Sequence, residues 1–479
     1  MSDIVNLKPE AVWRFFDEIT RIPRPSKKEE KIVAYLIDFA KSRSLEYRKD
    51  STGNVVIRKG ASPGMENRPV VVLQSHVDMV CEKTPDCDKD MDEEGLDLLI
   101  DGDFISAKGT TLGGDDGIAV AYALAILDDD SLSHPRLEFV CTVCEEVGME
   151  GATGIDVSML KGKKLLNMDS EEEGVMLASC AGGCRADVKL PVERETVSGT
   201  KLTVSLSGLT GGHSGSEIDK GRGNANTLMS RLLRDASAPV AIASIEGGRK
   251  DNAIPRECTA QIIVAPDEAV AVKASIEQAA AEIAEEFKTS DPDLKLAVSE
   301  ETDCSESAIS AKDSARVIAL IEALPNGIIR MSREIDKLVE TSLNLGVLKS
   351  DDAAVTLRYA VRSSVGVAKK SLKNQLVCIA GAFAAEVTFE GDYPAWEYKK
   401  DSKLREDMVR IFEEMYGKKP TVEAIHAGVE CGLLSGKIEG LDCISMGPDM
   451  YDIHTTEEKL SISSAKRSYE YILRVIACK

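Results

Sequence analysis

The chain has 479 residues, 43% of them hydrophobic, which is too long for one ordinary core and apolar enough to fill two or three. Its 59 basic against 81 acidic residues leave a net charge of -22, which repels phosphate backbones and anionic lipid and so argues against nucleic acid and membrane as partners. The opening segment has no basic stretch followed by an apolar one, and no run reaches the roughly 18 apolar residues of a membrane span. Twelve scattered cysteines, several in strand-like runs, point to reduced, mostly buried thiols and a cytoplasmic location. Cys141 and Cys144, three apart on a strand, should face opposite ways and pack rather than share a metal or disulfide.

Near the N-terminus, Pro25-Ser-Lys-Lys-Glu29 reads as a capping box for an amphipathic helix carrying Ile32, Val33, Leu36 and Phe39. Short apolar runs then alternate with helical patterns: Val70–Leu73, Leu137–Val143, Leu165–Met168 and, near the end, Cys443–Met446. Runs apolar on both faces predict buried, largely parallel strands. The expected fold class is α/β, with a mixed, mostly parallel sheet flanked by helices. From 188 to 390 the texture changes to alternating strands and long helical stretches, an α+β insertion between 1–187 and 391–479, which together form the first domain. Inside the insertion, Asn252–Val264 and Asn344–Val361 each precede a long helical stretch, an echo that suggests duplication.

Four of the strand or loop ends carry ionisable residues. Gln74-Ser-His-Val-Asp78 follows the first buried run, and the carboxylate two residues on suits a hydrogen bond that orients the His76 ring. Gly109-Thr-Thr-Leu-Gly-Gly-Asp-Asp-Gly117 precedes an apolar helix; alone, Asp115 or Asp116 would read as a helix cap. Cys144-Glu145-Glu146 and Asn167-Met-Asp169 end two further runs, and adjacent glutamates on extended backbone face opposite ways, fit for different tasks. The carboxyl edge of an α/β sheet is where ligands bind, so these residues converge, and His454, one of only five histidines, follows the last strand. Two imidazoles with several carboxylates suit a pair of divalent ions in a hydrolase.

At these residues the sequence resembles the M20 metallopeptidase family, most closely its aminoacyl-histidine dipeptidase branch. The likeness spans essentially the whole chain, through Ser75-His-Val-Asp-Met79, Gly109–Asp115, Glu145-Glu-Val-Gly-Met-Glu-Gly151, Asn167–Ser170, Gly211-Gly-His-Ser-Gly215 and His454. The resemblance implies two divalent ions, Zn2+ with Mn2+ or Co2+ as alternatives, one held by His76, Asp115 and Asp169 and the other by Asp115, Glu146 and His454. It further implies Glu145 as general base, Asp78 as support for His76, and a lid domain, here large enough for two joined half-lids, whose His213 reaches the scissile carbonyl. A lid arginine should bind the carboxylate of a small peptide substrate: Arg362 is the first choice, with Arg358 and Arg256 behind it. His426 resembles a substrate-pocket residue. Position 116 carries Asp where related loops often have Asn. Members of the family often dimerise through the lid, which makes a homodimer one expectation; the alternative is a double lid that supplies His213 to the active site of its own chain. The rival readings are an N-acyl-amino-acid deacylase of the same superfamily and a non-catalytic binding protein.

Overall fold

The computed structural model describes residues 3–478. It divides into two units: one formed by the chain up to Cys180, Tyr398–Ala424 and the chain from Val429 onward, the other by Ala181–Glu397 and Ile425–Gly428.

The first unit is built on a sheet of eight strands: β1 (Glu46–Lys49), β2 (Val55–Lys59), β3 (Val71–His76), β4 (Leu137–Thr142), β5 (Lys164–Asn167), β6 (Val175–Cys180), β7 (Thr421–Ile425) and β8 (Asp442–Ser445). Their order is β1-β2-β4-β3-β5-β8-β6-β7. The four central strands are parallel, β4 to β3, β3 to β5 and β5 to β8, while β1, β2 and β6 pair antiparallel. β3 and β4 are buried along their whole length, as strands covered on both faces must be. Helix α1 (Glu10–Thr20) packs Trp13, Phe15, Phe16 and Ile19 into the same core. After α2 (Glu30–Ser42), helix α3 (Gly114–Asp128) is buried from Gly114 to Leu127, because Ala, Val, Ile and Leu surround it on every side.

The capping box is not used as one. Helix α2 starts at Glu30 without a side-chain cap bond. Ser26 instead donates its hydroxyl to Asp78 at 2.8 Å, and Glu29 accepts from the Cys144 backbone N–H at 3.0 Å. A buried carboxylate at the strand edge needs donors more than a half-exposed helix end does. All twelve cysteines are free thiols, eight of them buried.

The second unit holds a nine-stranded sheet with the order Lys295–Ile309, Arg194–Ser207, Cys258–Val264, Ala241–Gly247, Val339–Ser350, Ala354–Ser363, Gly182–Pro191 and Glu386–Tyr393; Gly327–Met331 pairs on Val339–Ser350 beside that path. The order is palindromic in content. Along that path each half contributes four strands, with Gly327–Met331 a fifth in the second half, and each half has two helices, Ala225–Arg234 and Ala269–Glu286 in one, Ala311–Ala323 and Gly366–Ala382 in the other. The sequence echo falls on equivalent strand-helix pairs: Cys258–Val264 with Ala269–Glu286, and Ala354–Ser363 with Gly366–Ala382. Gly182–Pro191, which the sequence reading cut at 187, belongs wholly to this unit, because it pairs in register with Ala354–Ser363.

The halves join where Glu246 and Gly247 pair with Lys349 and Leu348. Beside this seam a Cβ on Gly346 would lie 2.4 Å from the Asp251 carbonyl oxygen, and Gly248, at φ +72°, lies against the Gly346 carbonyl. Gly346→Ala should therefore destabilise the unit by about 1–3 kcal/mol through overpacking. Thermal unfolding measures this, and an unchanged midpoint would mean that the seam tolerates side chains.

Candidate functional site

The carboxyl ends of the adjacent parallel strands β4, β3 and β5 deliver Glu145 and Glu146, His76, and Asp169 to one edge of the first unit's sheet. His76 Nε2 lies 3.0 Å from Asp115 Oδ1 and 3.3 Å from Asp169 Oδ1. On the other side of Asp115, Oδ2 is 3.0 Å from His454 Nε2, which is also 3.0 Å from Glu146 Oε2. Asp115 is thus shared by two imidazoles. Glu146 meets His454, yet ligand atoms of Glu145, Glu146 and His76 all lie within 4.8 Å of one another, so the pair does not diverge as adjacent residues on a strand would; Cys144, at φ +51°, breaks the extended backbone just before it.

The donor set fits two divalent cations. Ligand atoms of Asp115, Glu146 and His454 lie within 4.8 Å of one another, as do those of His76 with Asp116 and Asp169 and of His76 with Glu145 and Glu146. Glu146 Oε1 and Asp116 Oδ1 are buried without a hydrogen-bond partner among the described residues. Burial pushes the Glu145 carboxyl well above the usual range and Asp169 up to about 6. Hydrogen bonds to Asp115 and Glu146 push His454 up to about 10. Crowded carboxylates that raise one another's pKa are the environment a cation relieves.

Asp78 does more than face the ring. His76 Nδ1 lies 3.1 Å from its carbonyl oxygen and 3.4 Å from Oδ1, and the carboxylate also accepts the backbone N–H groups of Glu145 at 3.0 Å and Glu146 at 3.2 Å. It therefore ties the histidine loop to the glutamate loop. Neither Asp115 nor Asp116 caps α3. Asp116 is fully buried and accepts the His76 backbone N–H at 3.3 Å, and burial pushes its carboxyl above the usual range.

Two residues that the sequence did not single out hold the Asp115 loop. The buried Arg24 guanidinium donates to the carbonyls of Val77 at 2.9 Å, Asp78 at 3.2 Å and Gly113 at 2.5 Å. Gly113 sits at φ +61°, and a Cβ there would lie 2.5 Å from Arg24 Nη2. Glu458 accepts the backbone N–H groups of Leu112, Gly113 and Gly114 at 2.8, 3.1 and 2.8 Å. In sequence both look like ordinary solvated charges.

The second unit gathers His213, Arg362 and His426. His213 lies on a two-residue strand paired with Ala253 and Ile254, and its Nδ1 accepts backbone N–H groups from Gly215 at 3.3 Å and Ser216 at 3.1 Å. That assigns the neutral ring's proton to Nε2, leaving a free donor. Burial, then Arg362, holds its pKa below the ordinary value. His426 falls in this unit rather than with the C-terminal segment of the first; its Nε2 is 2.7 Å from Ser342 Oγ, a residue the sequence gave no reason to choose. Burial, then the nearby Arg362 and His213, push it down to about 3. Among the candidate arginines, Arg358 is taken up by two 2.8 Å bonds to Asp187, and Arg256 donates to the Leu209 carbonyl at 3.1 Å. Among the described residues, Arg362 makes only a 3.4 Å contact with the Tyr393 hydroxyl, and its Nε has no partner.

Residues 204–291 match the peptidase dimerisation domain model. The chain is 37% identical to the cytosol non-specific dipeptidase of Escherichia coli K12 over 97% of its own length and 96% of that protein's. It also resembles the crystal structure of aminoacylhistidine dipeptidase from Vibrio alginolyticus, with 36% identity, 99% and 98% of the two chains covered and a TM-score of 0.92. A tripeptidase from Staphylococcus aureus shares the fold, with a TM-score of 0.57 at 15% identity over 98% of each chain.

Two outcomes follow from this geometry. Glu458→Ala, which strips three backbone donors of a buried acceptor, should cost about 3 kcal/mol in urea unfolding, and Glu458→Gln, which keeps one oxygen, should cost less. His426, neutral in the folded state down to about pH 3, takes up a proton near its ordinary pKa when unfolded. Its depressed folded pKa makes stability fall as pH drops below about 6.5, by about 1 kcal/mol per pH unit. Denaturant unfolding at pH 7 and pH 5 should show a difference that His426→Gln reduces.

Proposed function

The chain belongs to the M20 metallopeptidase family, in its aminoacyl-histidine dipeptidase branch, and from that premise we propose that it hydrolyses unblocked dipeptides, Xaa-His among them, with two zinc ions. The observation that carries this reading is the Asp115 carboxylate held between His76 and His454, each at 3.0 Å. One ion would be held by His76, Asp115 and Asp169, the other by Asp115, Glu146 and His454; Mn2+ and Co2+ suit the same nitrogen and oxygen donors. When bound, such ions supply Lewis acidity that polarises the scissile carbonyl and makes water a nucleophile at neutral pH.

The chain's own groups supply the rest. Glu145 takes the proton from the attacking water and returns it to the leaving amine. A carboxyl whose pKa burial pushes up is matched to both transfers. His213, with its proton on Nε2, donates to the oxygen on which negative charge develops. Arg362 takes the peptide carboxylate, because among the described residues no acid pairs with its guanidinium and its Nε has no partner. His426 lines the substrate pocket beside it. A cytoplasmic location accords with twelve free thiols, and the match to a dimerisation domain supports a homodimer, which light scattering checks.

The expected outcome is metal-dependent release of both amino acids from free dipeptides after chelation and return of zinc, manganese or cobalt, with N-acetylated amino acids refused. Cleavage of the acetylated compounds alone would replace the dipeptidase reading with a deacylase. Glu145→Gln should keep its metal and lose about 10²–10⁴-fold in kcat. Near-native turnover would remove it from the base role.

A further inference from the structure

Beneath the three strand ends lies a network that neither metal binding nor proton transfer uses. Glu430, the first residue of the helix Glu430–Lys437, is completely buried, yet among the described residues no lysine or arginine pairs with it. Its Oε2 accepts two hydrogen bonds, from Gln74 Nε2 at 2.6 Å and Thr142 Oγ1 at 2.7 Å. Gln74 Oε1 in turn accepts from Asn167 Nδ2 at 2.6 Å. Glu430 Oε1 has no partner among the described residues.

The positions of these partners matter. Gln74 lies two residues before His76 on β3, and therefore on the same strand face. Thr142 ends β4 in register with His76, three residues before Glu145. Asn167 ends β5, two residues before Asp169. A single acceptor oxygen thus takes donors from two neighbouring strands and, through the Gln74 amide, reaches a third. It also sets the polarity of the chain: Gln74 must turn its NH2 toward Glu430 and its oxygen toward Asn167. This holds whether or not Oε1 carries a proton, since Oε2 remains the acceptor.

A buried carboxylate without a cation is costly, and an apolar side chain of similar size would avoid the cost. We propose that Glu430 is a positioning residue of the catalytic centre, its Oε2 fixing where His76, the Glu145–Glu146 pair and Asp169 leave their three strands. The proposal rests on reading those residues as metal ligands and base.

The test compares Glu430→Met, which keeps volume but has no oxygen acceptor, with Glu430→Gln, which keeps one. Zinc affinity is measured by chelator competition, with kcat and KM for a free dipeptide at saturating metal and the unfolding midpoint alongside. Glu430→Met should bind zinc about 10–100-fold more weakly, as loss of an outer-shell partner does, and lower kcat with little change in KM. Glu430→Gln should stay close to wild type in both. The idea is overturned if Glu430→Met matches wild type, or if Glu430→Gln is as impaired as Glu430→Met. Zinc affinity reads the network without any peptide, so a wild-type protein that binds zinc but cleaves no dipeptide would sink the activity and leave this test standing.

Discussion

The Asp115 carboxylate between the rings of His76 and His454 is the contact around which the first unit is arranged. Burial works against its charge, but the hydrogen bonds to His454 and His76 hold it well below the usual carboxylate range. Around it stand Glu145, Glu146 and Asp169, so the edge carries more acid than two imidazoles can balance. Like charges at such separations do not stay together unless something holds the backbone under them and something cationic sits among them. Arg24 and Glu458 supply the first condition, one tying Gly113 to the His76–Asp78 turn and the other gathering three consecutive N–H groups. Two divalent ions would supply the second.

That arrangement requires parallel strands. Neighbouring strands lie about 4.8 Å apart, so side chains leaving the same end of β4, β3 and β5 fall within reach of one small cluster. Antiparallel neighbours would have sent alternate residues to the far edge. Two residues past the end of β4, the left-handed turn at Cys144, φ +51°, redirects the chain just before the glutamate pair, and Asp78 then captures both glutamate N–H groups.

The second unit solves a different problem, the presentation of two imidazole rings and a guanidinium that no carboxylate neutralises among the described residues. Two arginines four residues apart on one strand have opposite fates because of register. Arg358 stands opposite Asp187 and is neutralised by it, whereas Arg362 stands opposite Gly183, which has no side chain to offer. The duplicated half-lids form one continuous antiparallel sheet, a stiff support for loops such as the one that carries His213.

The sequence alone determined the α/β character of the first unit, the inserted and duplicated second one, and the local placement of His76, Asp115, the glutamate pair and Asp169 at strand or loop ends. Those features follow from short-range rules: strands buried on both faces read as unbroken apolar runs, and residues just past them sit at the sheet edge. The assignment of metals and proton transfer to individual carboxylates came from family likeness. Only the tertiary structure revealed that Ser26 serves Asp78 instead of capping a helix, that Arg24, Glu458 and Glu430 are buried under the site, and that Ser342 meets His426. It also placed Gly182–Pro191 with the second unit's sheet and separated Arg362 from Arg358. Each of these depends on a partner tens to hundreds of residues away, and no local pattern of charge or hydropathy encodes which distant donor will find a buried carboxylate.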